Sequence, residues 1–157
     1  MALDPTARET NFRDSMRRYL FTSLKDTEGY NVFFKQGFTS VNIQESKSVD
    51  KWIIVSFGPI SLEHMSTGIV EIRPCTRQDP NYFKLAQMVD SILGYLTPGS
   101  GDGSTRITFY QSAPAAENWV DIGGLLVQDV DVSGDLTADD ETNFRIITVR
   151  VRFASKL

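Results

Sequence analysis

An α+β fold, with two amphipathic helices packed on a mostly antiparallel β-sheet, is predicted by three features of the sequence. Apolar residues recur every three to four positions in two separate segments, one near the N-terminus and one around residues 83–96. Between and after these segments lie runs of aromatic and β-branched residues, broken by glycine, proline and polar turns. The strands come in groups rather than in strict alternation with helices, which argues against a doubly wound parallel sheet. The 157 residues are read as one domain, long enough to bury a core without a disulfide or metal staple.

Each element has its own reason. Met1–Pro5 reads as an extended lead. Phe12, Met16, Leu20 and Leu24 fall every four residues, with charged side chains between them, so a helix is expected over Thr6–Lys25. Thr6 stands as its N-cap with Glu9 in capping-box position, and Gly29 marks the stop. Tyr30–Phe34, Gly37–Gln44 and Lys51–Phe57 are expected strands. The last is apolar on both faces, as central strands are, and Gly58-Pro59 should end it. Ile60–Leu62 and Gly68–Arg73 read as two further strands around a loop holding His64, the second closed by Pro74.

Asp79-Pro80 should open the second helix, with proline at its first position. Phe83, Ala86, Val89, Ile92, Leu93 and Leu96 form its expected core-facing stripe. Pro98 and the run Gly99–Ser104 stop it. Thr105–Gln111 is an expected strand, Ala113–Asn118 is irregular, and Trp119–Val132 is a second β region. An acidic loop from Asp129 to Glu141 then leads to the last strand. There Ile147, Val149, Val151 and Phe153 alternate with Thr148, Arg150 and Arg152.

Composition narrows the function. A net charge of −4 argues against a generic nucleic-acid binder. The lone Cys75 rules out an internal disulfide and any multi-cysteine zinc or iron–sulfur site, and the lone His64 rules out histidine-rich metal sites. No apolar run approaches a membrane span, and the charged N-terminus lacks the apolar stretch of a signal peptide. The expectation is a soluble, non-enzymatic protein of a reducing compartment, with no cofactor and no membrane partner.

The best motif match lies in the acidic stretch. Asp129 to Asp140 places oxygen side chains, a central glycine and a final carboxylate much as an EF-hand loop does, with Asp129, Asp131, Asp135 and Asp140 as candidate calcium ligands. Asp140 is short for a bidentate ligand, and both flanks read as strand rather than helix. A solvated acidic hairpin loop is the simpler reading. A Cys75–His64 nucleophile pair would need the two in contact, and no serine sits in a nucleophile elbow. Gly99–Gly103 matches neither the phosphate-binding loop nor the dinucleotide fingerprint.

Arg13, Arg17 and Arg18 on the first helix, with Arg145, Arg150 and Arg152 on the last strand, make candidate cationic surfaces. The simpler reading is a solvated face; the functional one is contact with an acidic partner or a phosphate backbone. Asp135, Asp139 and Asp140 in the acidic stretch would be the complementary patch on a neighbouring copy. Head-to-tail contact between unlike patches closes rings when the rotation allows.

The order of these elements resembles that of the tail terminator (tail completion) proteins of long-tailed bacteriophages, the family of the lambdoid minor tail protein U. The residues that carry the resemblance are the opening helix Thr6–Lys25, the strands Trp52–Phe57 and Gly68–Pro74, the helix Asp79–Leu96, the acidic connection and the alternating strand Phe144–Phe153. The resemblance implies a virion structural protein, assembled in the host cytoplasm, with no catalytic residues. It implies a homo-oligomer, a hexameric ring on the head-proximal end of the tail. Its partners would be the tail tube protein and the head–tail connector proteins. Lumen arginines would touch passing DNA without reading sequence. A head–tail connector (neck) protein and a tail-tube subunit are neighbouring readings. A calcium-dependent binding module is the reading from another class.

Overall fold

The structure is a computed structural model that describes residues 8–34, 50–61, 65–97, 106–112, 115–138 and 142–154. The expected N-cap Thr6, the strand at Gly37–Gln44, His64 and the Gly99–Ser104 run lie outside the described residues.

The first helix, α1 (Arg8–Leu20), passes directly into a π-helical segment, Phe21–Thr27. Its apolar spacing explains the widening. Four residues turn an α-helix about 40° past a full circle, so a strict four-residue repeat drifts off one face. Loosening the last turns keeps Leu24 in line with Leu20, and both are fully buried. Gly29 closes the segment at φ +79°, the left-handed conformation that glycine adopts without steric cost. The Gly29 N–H bonds the Lys25 carbonyl and the Tyr30 N–H bonds that of Leu24.

Eight strands follow from the remaining apolar runs: β1 (Asn31–Phe33), β2 (Lys51–Ser61), β3 (Met65–Thr76), β4 (Arg106–Gln111), β5 (Val120–Val132), β6 (Leu136–Thr137), β7 (Asn143–Phe144) and β8 (Ile147–Ala154). The sheet order is β1-β2-β3-β8-β5-β4, antiparallel except for the β1–β2 pair. β7 extends the line of β8 along β3, and β6 pairs with β7. The second helix, α2 (Phe83–Leu96), lies between β3 and β4 in the chain. Two helices on a mostly antiparallel sheet make the α+β fold expected.

Two prolines expected to stop strands do not. At Gly58-Pro59 the β2–β3 register shifts, so these two residues oppose the single Ile69, and β2 runs on to Ser61. A bulge of this kind removes the ladder position that proline cannot fill. Pro74 lies opposite the break between β7 and β8, and its carbonyl accepts the Arg145 N–H there. Its missing N–H faces the same break, so β3 continues to Thr76. The β region expected over Trp119–Val132 is β5, whose end, Asp129–Val132, pairs with β8, so the first part of the acidic stretch is strand and not loop. The expected irregular stretch before β5 contains a 3-10 turn at Ala116–Asn118.

The second helix starts three residues later than Pro80. The buried Asp79 carboxylate accepts the N–H groups of Lys84 (3.2 Å) and Leu85 (3.0 Å) and the Thr76 hydroxyl (3.2 Å). Tyr82, at φ 57°, turns the chain into the helix between them. This start fixes the helix phase: Leu85, Met88, Val89, Ile92 and Leu96 are buried, while Phe83 and Ala86 of the expected stripe point outward. The Asn143 amide donates to the Asp79 carbonyl (2.7 Å), tying β7 to the same corner.

Both helices cover one face of the sheet. Phe12, Met16, Leu20 and Leu24 of the first helical segment and the α2 stripe pack against Val55, Val70, Ile72, Leu125, Val149, Val151 and Phe153. The Phe12 ring stacks on Phe153 (5.1 Å, 12° between planes) and meets Phe57 edge-on. It occupies the space above Gly68, where an added Cβ would lie 2.5 Å from its Cζ. A smaller cluster on the opposite face gathers Trp52, Ile54 and Cys75 with Phe33 and Phe144, consistent with β2 being apolar on both faces.

Two predictions follow from this packing. Gly68→Ala should cost about 1–3 kcal/mol in urea unfolding, because the buried Phe12 ring has no room to retreat, and Phe12→Leu in the same chain should recover part of it. At Asp79, burial pushes the carboxyl pKa up, but the Leu85 and Lys84 N–H groups and the Thr76 hydroxyl outweigh it, so the net shift is downward. A depressed folded pKa stabilises the fold above the unfolded carboxylate range, near about pH 4, and the gain is lost as pH falls through the folded value. Asp79→Asn should therefore lower stability at neutral pH and flatten the loss on acidification.

Candidate functional site

The six candidate arginines fall on two surfaces. Arg13, Arg17 and Arg18 stand on the outward side of α1, above the helical face of the sheet. Arg150 and Arg152 alternate with buried Val149, Val151 and Phe153, and so face the side of the sheet opposite to the helices.

On the sheet side Arg150, Arg73 and Arg145 are matched within the chain. Arg150 lies across from Asp129 in the β5–β8 ladder and pairs with it at 3.5 Å. Arg73 pairs with Glu71 at 3.0 Å. Arg145 is half-buried, donates to the Ser133 carbonyl (2.9 Å) and approaches Asp135 at 3.8 Å, fastening the turn after β5. Arg152 is exposed beside Leu126 and Thr67 of the neighbouring strands.

The candidate calcium ligands are spread along this edge. Asp129 and Asp131 extend on β5, and Asp135 follows in the turn, whereas an EF-hand loop curls its ligands about one point. Among the described residues no three His, Cys, Asp or Glu side chains stand close enough to hold a metal ion. Asp139 and Asp140 lie outside the described residues. Cys75 is fully buried, its thiol directed at the Arg73 carbonyl (3.5 Å).

On the helix side the arginines lie over aromatic rings. Arg13 bonds Glu9 one turn earlier and sits 5.1 Å from the Phe57 centroid. Arg17 covers Phe34 (5.0 Å), and Arg18 covers Tyr110 (4.5 Å) and Trp119 (5.2 Å). Stacking of this kind holds a guanidinium flat while its N–H edge stays open. Between these side chains is a cleft of 390 Å³, lined by Asp14, Arg17, Arg18, Phe21, Thr22, Phe34 and Trp119. Its aromatic lining comes from the helix, the end of β1 and the approach to β5, and only the two arginines belong to the expected set. The one local signal was Phe21, an aromatic just off the four-residue stripe.

Next to the cleft, α1 covers part of the β4 edge. Ser15 Oγ accepts the Tyr110 N–H (2.8 Å), and Asn11 Oδ1 accepts the Ser112 N–H (3.1 Å). Both side chains are buried, and both occupy edge positions that would otherwise offer free donors to another strand.

No protein-family model and no curated protein matches the chain. In fold it is similar to a solved structure whose name carries no functional description, with a TM-score of 0.59 at 8% identity over 94% of this chain and 98% of the other. At that identity the likeness concerns the fold alone. Among the described residues no helix is long and apolar enough to cross a membrane.

The stacked arginine should be measurable. A double-mutant cycle on Arg18→Ala and Trp119→Leu in urea should give a coupling of about 0.5–1 kcal/mol, and additive losses would show that the stack contributes nothing.

Proposed function

We propose that this chain is a non-enzymatic structural protein of a long-tailed phage virion: a tail terminator that forms a ring on the last tier of the tail tube, ends tube growth and presents the surface that docks the head. The observation that carries the reading is the pair of unlike surfaces on one small fold. An arginine–aromatic cleft lies on α1, and a carboxylate-bearing end lies at β5 and β6. A subunit with two different, charge-complementary patches can make head-to-tail contacts, and such contacts close into rings when the rotation between neighbours allows. The reading is also supported by the order of elements, helix then strands then helix then strands, on which the family resemblance rests.

The β4 edge favours a terminator over a tail-tube subunit. Growth of a tube by sheet pairing needs open edge donors, and Asn11 and Ser15 occupy two of them. The connector reading shares the ring and differs in its partners. In the ring, Arg152 and its neighbours on the uncovered sheet face would meet passing DNA through phosphate contacts without sequence preference.

The test is tube assembly with purified tube protein of the same phage, with and without this chain. The expected outcome is shorter tubes, each capped at one end by a closed ring in negative-stain images. Tubes of unchanged length, or co-polymerisation of the chain along their walls, would overturn the assignment.

A further inference from the structure

We infer that the α1 cleft receives the Asp135–Leu136 surface of a second copy of this chain, so that the contact between subunits is heterologous. The inference rests on the ring reading above and names the two surfaces that would meet.

The cleft is built as a receptor for an apolar group flanked by carboxylates. Phe21, Phe34 and Trp119 line it together with the Arg17 and Arg18 guanidinium groups, and these two cations outnumber the single carboxylate in the lining, Asp14. Neither arginine has an ion-pair partner among the described residues, whereas Arg13, Arg73, Arg145 and Arg150 each have one. Both arginines are already held on aromatic rings, so little rotamer freedom remains to be lost on binding. Arginine with tryptophan and other aromatics is the composition of interface centres that carry most of the binding energy.

The complementary group stands at the far end of β5. Leu136 is 38% exposed, next to Asp135, whose side chain keeps about half its surface in solvent although Arg145 is 3.8 Å away. The Tyr82 hydroxyl bonds Thr137 (2.8 Å), which fixes this strand beside the start of α2, where Phe83 is 66% exposed. Two exposed apolar side chains beside a carboxylate match a cleft lined by aromatics and guanidinium groups. A chain cannot satisfy its own cleft in this way. Trp119 immediately precedes β5 and Asp135 follows its other end, with a 13-residue strand between them. A second copy has no such restriction, and the match leaves each subunit one cleft and one acidic end for the next.

Two experiments test the contact. Phe21→Cys and Leu136→Cys, made in separate chains and mixed under mild oxidation, should give a disulfide-linked pair only in the mixture, since Cys75 is buried. In light scattering, the variant Arg17→Glu/Arg18→Glu and the variant Asp135→Lys should each associate at least about tenfold more weakly than the wild type. Mixing them should restore assembly, because each reversed cleft then faces a reversed acidic end; circular dichroism checks that both remain folded. Wild-type assembly without the mixed disulfide, unaltered assembly of the charge variants, or a wild-type chain that stays monomeric at every concentration would each overturn the inference. The terminator reading is separable: a chain that forms this cross-link yet leaves tube length unchanged keeps the contact and loses the function.

Discussion

The seat of Phe12 over Gly68 sets the position of everything on the helical face. A side chain on β3 at that point would collide with the ring, so glycine is required for the helix to come this close to the sheet. The ring then stacks on Phe153 of β8 and meets Phe57 of β2, while Phe109 of β4 closes against Phe153 edge-on. One helix residue thereby touches strands separated widely in sequence, and the later turns of the helix follow in phase: Met16, Leu20 and, through the π-helical widening, Leu24. With α1 fixed in this way, Asn11 and Ser15 reach the β4 edge, and Arg17 and Arg18 reach the aromatics of β1 and β4.

A second corner is organised by polar chemistry. Asp79 caps α2 with its carboxylate and holds Asn143 with its carbonyl, and Asn143 in turn accepts from Thr137. Burying a carboxylate is costly unless its oxygens are satisfied, and here three donors satisfy them. The same bonds that begin the helix anchor β6 and β7, so the acidic end of the molecule is held to the core by hydrogen bonds although its surface is polar.

The elements most legible in the sequence are those with one wet face. β8 is read directly from Ile147, Val149, Val151 and Phe153, because Arg150 and Arg152 mark the exposed side. The α2 stripe is legible from Val89 through Leu96 but not at its start: Phe83 and Ala86 fit the period, yet the Asp79 cap starts the helix so that Leu85 and Met88 turn inward in their place. Proline misleads at Pro59 and Pro74 because a bulge and a broken ladder are tertiary events. In the acidic stretch the carboxylate spacing drew attention to calcium, while Asp129-Val130-Asp131-Val132 also carries the period-two pattern that β5 follows. The cleft was not legible, since Phe21, Phe34, Tyr110 and Trp119 come together only once α1 has docked.

The distribution of arginines shows where the surface charge remains available. An arginine paired within its own subunit must give up that partner, or share it, before it can bind another group, and the exchange returns little free energy. Arg150 with Asp129 and Arg145 with Asp135 and the Ser133 carbonyl stand in that position. Arg17 and Arg18 differ. The rings beneath them fix their orientation without neutralising them. Such a pair loses little on meeting a carboxylate and gains charge-assisted hydrogen bonds in a setting partly walled off from water. The net charge of −4 means that another copy supplies carboxylates in excess. The proposed contact through the cleft would draw on these local features, against the general repulsion between copies of like net charge, and would need no conformational change in either surface.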